Sequence, residues 1–530
     1  MVHPRAHRAG APAAAPTATR PAPRPRLRRS LSKPDLIDLC LAAVVGLCVL
    51  LVHDAGYLLR HSFWVDEGWV AETVRARIGL VPSLAASTPL GWTFLLRLVP
   101  FGGPDRLRLV PLAFAGLAAA AGYLFGRELR LAPYVTGLLT GAAALLSPAM
   151  LVRDDLKQYT AEAFACLVVW VLVARIENEW RVGRLVAIAA TASVGMLFAD
   201  TVIFVGVAAM AGLALECLVT RHYRRLVAVA AAAAGMLAVA LVIYETLIRP
   251  QVSPILVHYW RDYYMPRNAS AAVSFLNLQL HHLASAMGFR WLIADAAAAL
   301  AGIAALVWLR RFALAAMFPI MLAIVIAASA AGKYPFGDLR TSTFWLVMVP
   351  VLAAVAVAAV GRWAAAAIDR RAPLVVAAVA LAAWVPATNA FIRSHPIPDD
   401  DVQYEVSYLD AHFRPGDVVI VNYGASFGFA YYYPPEPSFP VGHGPNGHLV
   451  AYPRLPWMVV MGARTPEDVA NALADARAKI AAEPPGARGQ IWIVRSQLTV
   501  TERRAWRRDL ARYHVTTIHV GPQPLLLLRP

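Results

Sequence analysis

Charge is scarce in this chain. Asp, Glu, Lys and Arg make up only 15% of its 530 residues while 59% are hydrophobic, against about 25% and roughly 45–50% in an ordinary soluble domain. That shortage excludes a soluble globular protein and leaves a membrane protein. Cysteine is nearly absent. Cys40, Cys48, Cys166 and Cys217 all fall inside apolar runs, so there is neither a disulfide framework nor zinc-site spacing, and the four read as small packing residues. H-E-x-x-H and P-loop patterns are missing, which argues against a zincin and a P-loop ATPase. The adjacent His281 and His282 diverge by about 100° on a helix and cannot form an i,i+4 metal pair.

What is present is a series of apolar runs. Eleven are long enough for a ~30 Å hydrocarbon core, at 36–59, 107–127, 133–151, 160–175, 184–200, 202–219, 226–247, 291–309, 312–331, 341–360 and 374–392. With the N-terminus inside, every cytoplasmic turn is basic: Arg127 and Arg130; Arg175, Arg181 and Arg184; Arg221, Arg224 and Arg225; Arg310 and Arg311; Arg362, Arg370 and Arg371. This is the positive-inside pattern. An odd number of spans then places the C-terminus outside. Residues 1–34 carry eight basic residues and no acid, and their Ala-, Pro- and Arg-rich composition predicts a disordered cytoplasmic tail. The net charge of +16 is therefore a topology signal beside a solvated tail that can rest on anionic lipid, and not a nucleic-acid site.

From Pro396 onward the long apolar runs stop. Short β-like stretches at 418–423, 457–461, 491–496 and 516–520 alternate with helical patterns such as 465–480, where Thr465 is a candidate cap and Glu467 and Asp468 occupy the first turn. The expected architecture is a polytopic α-helical membrane domain, residues 35–394, followed by an extracytoplasmic small α/β domain, residues 395–530, with a partly parallel sheet. Gly424 and Gly428, which follow the first of these β-like stretches, lack the G-x-G-x-x-G spacing of a dinucleotide fingerprint. The VNYGASFGFAYYY stretch (421–433) reads as a strand, a turn and an aromatic helix packed on the membrane domain, or alternatively as a groove in which Tyr431, Tyr432 and Tyr433 meet an acceptor sugar.

The chemistry-capable residues gather in the outer connections. Asp66 and Glu67 stand between Trp64 and Trp69 just after the first apolar run, where partial burial makes one carboxylate a better base. SPAMLVRDDLKQYTAE (147–162) places Arg153, Asp154, Asp155, Lys157 and Tyr159 at the junction of two runs. Such charges belong at a lip or in a polar cavity, and on a helix Asp155 and Tyr159 share a face. Asp200 marks another lip. HYWRDYYMPR (258–267) forms an aromatic-cationic cluster suited to the membrane surface, and GKYPFGDLRTS (332–342) contributes Lys333, Tyr334, Asp338 and Arg340. Cations at this depth suit a lipid-linked phosphate.

In their order along the chain, SFWVDE (62–67), TPLGWTFLLRL (88–98), LRLVPL (107–112), SPAMLVRDDLKQYT (147–160) and KYPFGDLR (333–340) resemble the integral-membrane type C glycosyltransferases. The similarity is strongest to the bacterial branch of protein O-mannosyltransferases and lipid A aminoarabinose transferases. The resemblance covers about residues 36–360 and implies transfer of a sugar from a polyprenyl phosphate to an acceptor outside the cytoplasmic membrane. By that resemblance Asp66 is the general base, with Glu67 its neighbour, orienting the acceptor or assisting metal or phosphate binding, and Asp154 or Asp155 is the second acid. Arg153, Lys157, Tyr159, Lys333 and Arg340 face the donor phosphate. The chain departs from the pattern at Ser87-Thr88-Pro89-Leu90, where relatives often have His-Pro-Pro-Leu, so no role of that histidine carries over.

The chemistry agrees with the residue types. A lipid-phosphate sugar carries its own leaving group, so a base and positioned cations suffice for a single inverting displacement. No nucleotide site is needed, and no cofactor is required, although a divalent metal is allowed. The implied partners are the donor, membrane lipid and a glycan, lipid or protein acceptor. Competing expectations are a polar-lipid transporter and a non-catalytic envelope scaffold. Transporters usually set charges near the bilayer midplane within repeated halves, whereas these acids gather on one face of a chain without an internal repeat.

Overall fold

A computed structural model of the protein describes residues 36–85, 88–99, 104–151, 155–252, 257, 260–288, 292–394, 402–433, 441–443, 449–451, 455–462 and 464–529. The basic tail lies outside the described residues, as do Arg153 and Asp154.

This is a multi-pass helical membrane protein. Among the described residues seven helices are long and apolar enough to cross a membrane: Leu109–Glu128, Tyr159–Asn178, Val202–Val219, Tyr223–Gln251, Phe312–Ala330, Leu339–Ala367 and Ala372–Ser394. Shorter apolar helices occupy Leu36–Val52, Pro133–Leu145, Val182–Gly195 and Leu292–Trp308. Together they fall on the apolar runs expected from the sequence. The first run differs in shape. Instead of continuing to Leu59 it stops near His53, and Asp54, in the left-handed region at φ 43°, caps a separate helix, Ala55–Arg60, by accepting from Tyr57 N.

Small residues let the first helices pack closely. A Cβ on Gly46 would lie 2.9 Å from the Gly116 carbonyl oxygen, so Leu36–Leu47 sits backbone to backbone on Leu109–Glu128, as small residues allow in membranes. Buried Asp38 fixes this packing, accepting from Arg127 Nε at 2.6 Å and from Tyr123 Oη at 3.1 Å.

The basic turns expected inside converge at one end of the bundle. Arg175 pairs with Glu128 at 2.9 Å, Arg311 donates to Asn178 Oδ1 at 2.5 Å, Arg362 donates to the Leu131 carbonyl, and Arg225 lies 5.0 Å from the Trp180 ring centre. Helix Tyr159–Asn178 runs from this end to the other, about 30 Å for its 20 residues at 1.5 Å each.

The C-terminal region is an α/β domain. Its five-stranded sheet has the order β4-β1-β5-β7-β6, with β1 Val418–Val421, β4 Met458–Val460, β5 Ile491–Val494, β6 His514–Ile518 and β7 Leu525–Arg529; β2 Val441–His443 and β3 Leu449–Ala451 form a separate antiparallel pair. Strand β1 runs parallel to both β4 and β5, Ile420 lying opposite Val459 and Ile493, while β7 is antiparallel to β5 and β6. The expectation of a partly parallel sheet holds. Strand β7 was not among the expected strands, because its unbroken leucines lack alternation; Leu525 to Leu528 are all buried, as a strand covered on both faces requires. Thr465 and Thr499 cap helices Pro466–Ala482 and Val500–Leu510, each accepting from the N–H three residues on.

Candidate active site

Asp66 and Glu67 begin helix Val65–Arg75. Negative charge in a first turn is favoured by the helix dipole, and successive side chains on a helix point about 100° apart. The two acids therefore part company. Asp66 lines a cavity of about 1150 Å³ and meets Arg340 Nη1 at 3.2 Å. Glu67, only 2% exposed, does not line that cavity.

The other side of Glu67 is a buried hub. Arg108, 1% exposed, gives its Nε–H to Glu67 Oε1 at 2.8 Å and an Nη2–H to Oε2. Its remaining N–H groups go to the carbonyls of Leu58, His61 and Ser62, so all five donors of the guanidinium are used. Glu67 also accepts from Leu156 N at 3.2 Å, and Trp92 Nε1 donates to Leu156 O at 2.8 Å. The hub thus ties helix Val65–Arg75 to the turn that carries Lys157.

That turn is not helical. Asp155 accepts from Lys157 N at 3.0 Å, an Asx turn, and helix Tyr159–Asn178 starts only afterwards. Asp155 and Tyr159 consequently do not share a helical face. Lys157 and Tyr159 line the cavity and Asp155 does not. The Lys157 ammonium lies 5.6 Å from the Trp69 ring centre.

Arg340 is placed by its own turn. Gly337 holds φ +101°, where a Cβ would also strike Gln279. Asp338 then caps helix Leu339–Leu346 by accepting from Arg340 N at 2.7 Å, and its Oδ1 accepts from Arg340 Nε at 3.1 Å. The guanidinium is shared between Asp66 and Asp338, with its carbon 5.2 Å from the Trp260 ring centre. Lys333 lines the same cavity. Trp260 and Tyr264, expected on the membrane surface, line it as well.

The structure adds residues that the sequence reading did not single out. Glu162 joins Asp200 in the wall; a carboxylate within a span is a functional signal by default. Glu245 enters from a π-helical turn, Tyr244–Ile248, and Arg249 from the 3-10 turn that follows it, Arg249–Gln251. Tyr423, Phe427, Arg464 and Gln497 come from the C-terminal domain; Tyr423 and Phe427 belong to the 421–433 stretch, while nothing local in the sequence marks Arg464 and Gln497. Tyr431, Tyr432 and Tyr433 do not line the cavity. They belong to the packed aromatic helix: Tyr432 Oη accepts from Phe63 N at 2.6 Å, and Arg75 lies 4.0 Å from the centre of the Tyr431 ring and donates to its carbonyl.

With that geometry in place, comparison with known proteins is informative. No protein-family model and no curated protein matches the sequence. Among solved structures, ArnT from Cupriavidus metallidurans bound to undecaprenyl phosphate superposes with a TM-score of 0.51 at 14% identity over 93% of this chain and 97% of that one. The chain has the fold of the integral-membrane type C glycosyltransferases. The Archaeoglobus fulgidus oligosaccharyltransferase complexed with zinc and sulfate matches with a TM-score of 0.51 at 12% identity, covering 86% of this chain and 67% of that one. Archaeal AglB, with an inhibitory peptide and a dolichol-phosphate, matches at 0.50 and 10% identity over 86% and 69%.

Among the described residues no three His, Cys, Asp or Glu side chains come together as a metal ion requires, and the partners of Asp66 and Asp338 include the Arg340 guanidinium. Asp66, Lys157, Lys333 and Arg340 thus line one cavity.

Proposed function

We propose that this protein transfers a sugar from a polyprenyl-phosphate carrier to a hydroxyl group of a cell-envelope acceptor, glycan, lipid or protein, with inversion at the sugar carbon. The observation that carries this reading is the convergence of Asp66, Arg340, Lys157 and Lys333 on one cavity. The undecaprenyl phosphate and dolichol-phosphate held by ArnT and AglB support the choice of donor.

Lys157, Lys333 and Arg340 bind the donor phosphate, with the Tyr159 hydroxyl as a further donor. Arg340 shifts part of its hydrogen bonding from Asp66 to the phosphate, a stronger charge-assisted partner, which frees the Asp66 carboxylate. Asp66 takes the acceptor proton, the acceptor oxygen bonds to C1 of the sugar, and the C1–O bond breaks with its electron pair leaving on polyprenyl phosphate. Glu67 and Asp155 act as positioning residues, through Leu156 and the Lys157 backbone. Arg153 and Asp154 adjoin this turn and remain candidates for the donor phosphate and the second acid. We place the cavity and C-terminal domain outside the cytoplasmic membrane and the basic end inside, following the positive-inside pattern. A C-terminal reporter active only in the cytoplasm would reverse that placement.

The test is transfer of label from a panel of radiolabelled polyprenyl-phosphate sugars to crude envelope by purified protein in detergent. Wild type moves label from one donor and Asp66→Asn does not, while both retain polyprenyl phosphate. Equal transfer by the two removes Asp66 from the base role. Absence of both donor binding and transfer in wild type rejects the transferase.

A further inference from the structure

The C-terminal domain meets the cavity at one particular place. Tyr423 lies two residues past the end of β1, Arg464 four past β4 and Gln497 three past β5, and all three line the cavity. These are the carboxyl ends of three parallel strands. β1 and β5 are neighbours, and the chain leaves β1 for β4 on one side but leaves β5 for β6 on the other, so the connections diverge between β1 and β5. Open α/β sheets bind ligands at the crevice that this switch creates. Here the crevice opens onto the volume that Asp66 lines.

The crevice is built to hold its shape. Asn422, fully buried, donates Nδ2–H to Ser496 O at 3.0 Å, and its Oδ1 accepts from Ser496 N and Ala425 N, both at 3.0 Å. One side chain therefore locks the β1 and β5 ends together. Gly424 allows this approach, since a Cβ there would stand 2.3 Å from Ser496 O. Gln497 holds φ +47°, a left-handed conformation that is uncommon for a non-glycine residue and that clusters where function maintains it.

Its charge is also distinctive. Arg340 is divided between Asp66 and Asp338, and Arg249 is paired with Glu245. Arg464 has no carboxylate partner among the described residues, and its Nε is buried without a hydrogen bond. Its guanidinium carbon lies 5.1 Å from the Tyr423 ring centre. Tyr423 feels both Arg464 and Asp66, the first lowering and the second raising a phenol already pushed up by burial. Arg464, Tyr423 and the Asp66 carboxylate thus share one wall region of the same cavity. Phe427 stacks on Trp69 with ring centres 5.1 Å apart, extending the aromatic wall towards Lys157.

We propose that the switch-point crevice of the C-terminal domain is the acceptor subsite, and that it selects an acceptor carrying an anionic group close to the reacting hydroxyl. Arg464 binds the anion, phosphate or carboxylate. Gln497 hydrogen-bonds neighbouring hydroxyls, and Tyr423 and Phe427 pack on the acceptor's apolar face. The inference rests on the transferase reading above, and it divides the cations: Lys157, Lys333 and Arg340 serve the donor, Arg464 the acceptor.

The test compares wild type with Arg464→Ala, Arg464→Lys and Gln497→Ala, each checked for unchanged size-exclusion profile and thermal midpoint. Binding of polyprenyl phosphate alone should be the same in all four. Transfer from the labelled donor to crude envelope should require about tenfold more envelope for half-maximal rate in Arg464→Ala, with Arg464→Lys intermediate and the donor KM unchanged. Envelope treated with phosphatase, or with a carboxyl-blocking carbodiimide, identifies the anion: one treatment lowers wild-type transfer towards the Arg464→Ala level and has little effect on that variant. Wild-type acceptor dependence in Arg464→Ala, or a loss of polyprenyl phosphate binding in it, overturns the subsite while leaving the transferase standing. Wild type that neither binds polyprenyl phosphate nor moves label rejects both.

Discussion

The two ends of the helix bundle use charge differently. At the basic end arginines are paired with neighbours on adjoining helices and turns: Arg175 with Glu128, Arg181 and Arg184 with Glu179, Arg311 with Asn178. At the other end Lys157, Arg249, Lys333, Arg340 and Arg464 surround a single volume with Asp66, Glu162, Asp200 and Glu245. Charge paired in place orients a chain in the membrane. Charge gathered around a cavity costs desolvation that packing alone does not repay, so it points to a ligand.

The largest expected effect tests whether the cavity end is catalytic. Asp66→Asn should lower turnover at least a hundredfold, within the ~10²–10⁴-fold range of a general base, with donor binding retained; a near-normal rate would reduce this end to another set of local pairs. Next comes the buried hub. Glu67→Ala leaves Arg108 buried and uncompensated, at a cost of about 3–5 kcal/mol, so thermal unfolding in detergent should show a large loss of stability. An unchanged midpoint would mean that the hub relaxes and does not position Lys157. Arg340→Ala should then weaken polyprenyl phosphate binding about tenfold, read by titration of the purified protein.

A pH scan sharpens the contrast between Glu67 and its neighbour Glu72, which lies on the same helix, is 1% exposed and has no hydrogen bond to either oxygen. Burial raises its pKa from 4.5 to about 7, against the opposing pull of Arg75. The folded state therefore holds this proton more tightly than the unfolded chain. The stability it contributes is fully present below pH 4.5 and is lost as pH rises through about 7. Glu72→Gln should remove that part of the slope, and identical pH profiles for the two proteins would mean that Glu72 ionises freely. The smallest effect belongs to the basic end: Arg181, 63% exposed beside Glu179, should change stability by no more than about 0.5 kcal/mol on substitution by Ala, with transfer unaffected.

Much of this architecture is legible in one dimension because bilayer and sheet impose simple periodicities. Apolar runs, basic turns and alternating strands and helices each report a local solvent. What was hidden depended on direction. Asp66 and Glu67 are equivalent as letters, and only the helix they begin turns one to the cavity and the other to Arg108. Asp155 and Tyr159 looked like helical neighbours until an Asx turn intervened. The packed aromatic helix expected within 421–433 is there, with Tyr431 and Tyr432 docked on Phe63 and Arg75, but the letters did not tell that Tyr423 and Phe427 are the rings of this stretch that line the cavity. Arg464 carries no local signal at all, since its place follows from strand order.

Sequence by itself determined that this protein lives in a membrane, where its apolar runs lie, and that acids and cations gather in the connections between them, because hydrophobicity and charge act on each residue where it stands. Which of those acids share a cavity with which cations, and that the C-terminal domain supplies one wall, was decided only by the tertiary structure, because residues as distant as Asp66, Arg340 and Arg464 are brought together by helix packing and by the switch point of a sheet.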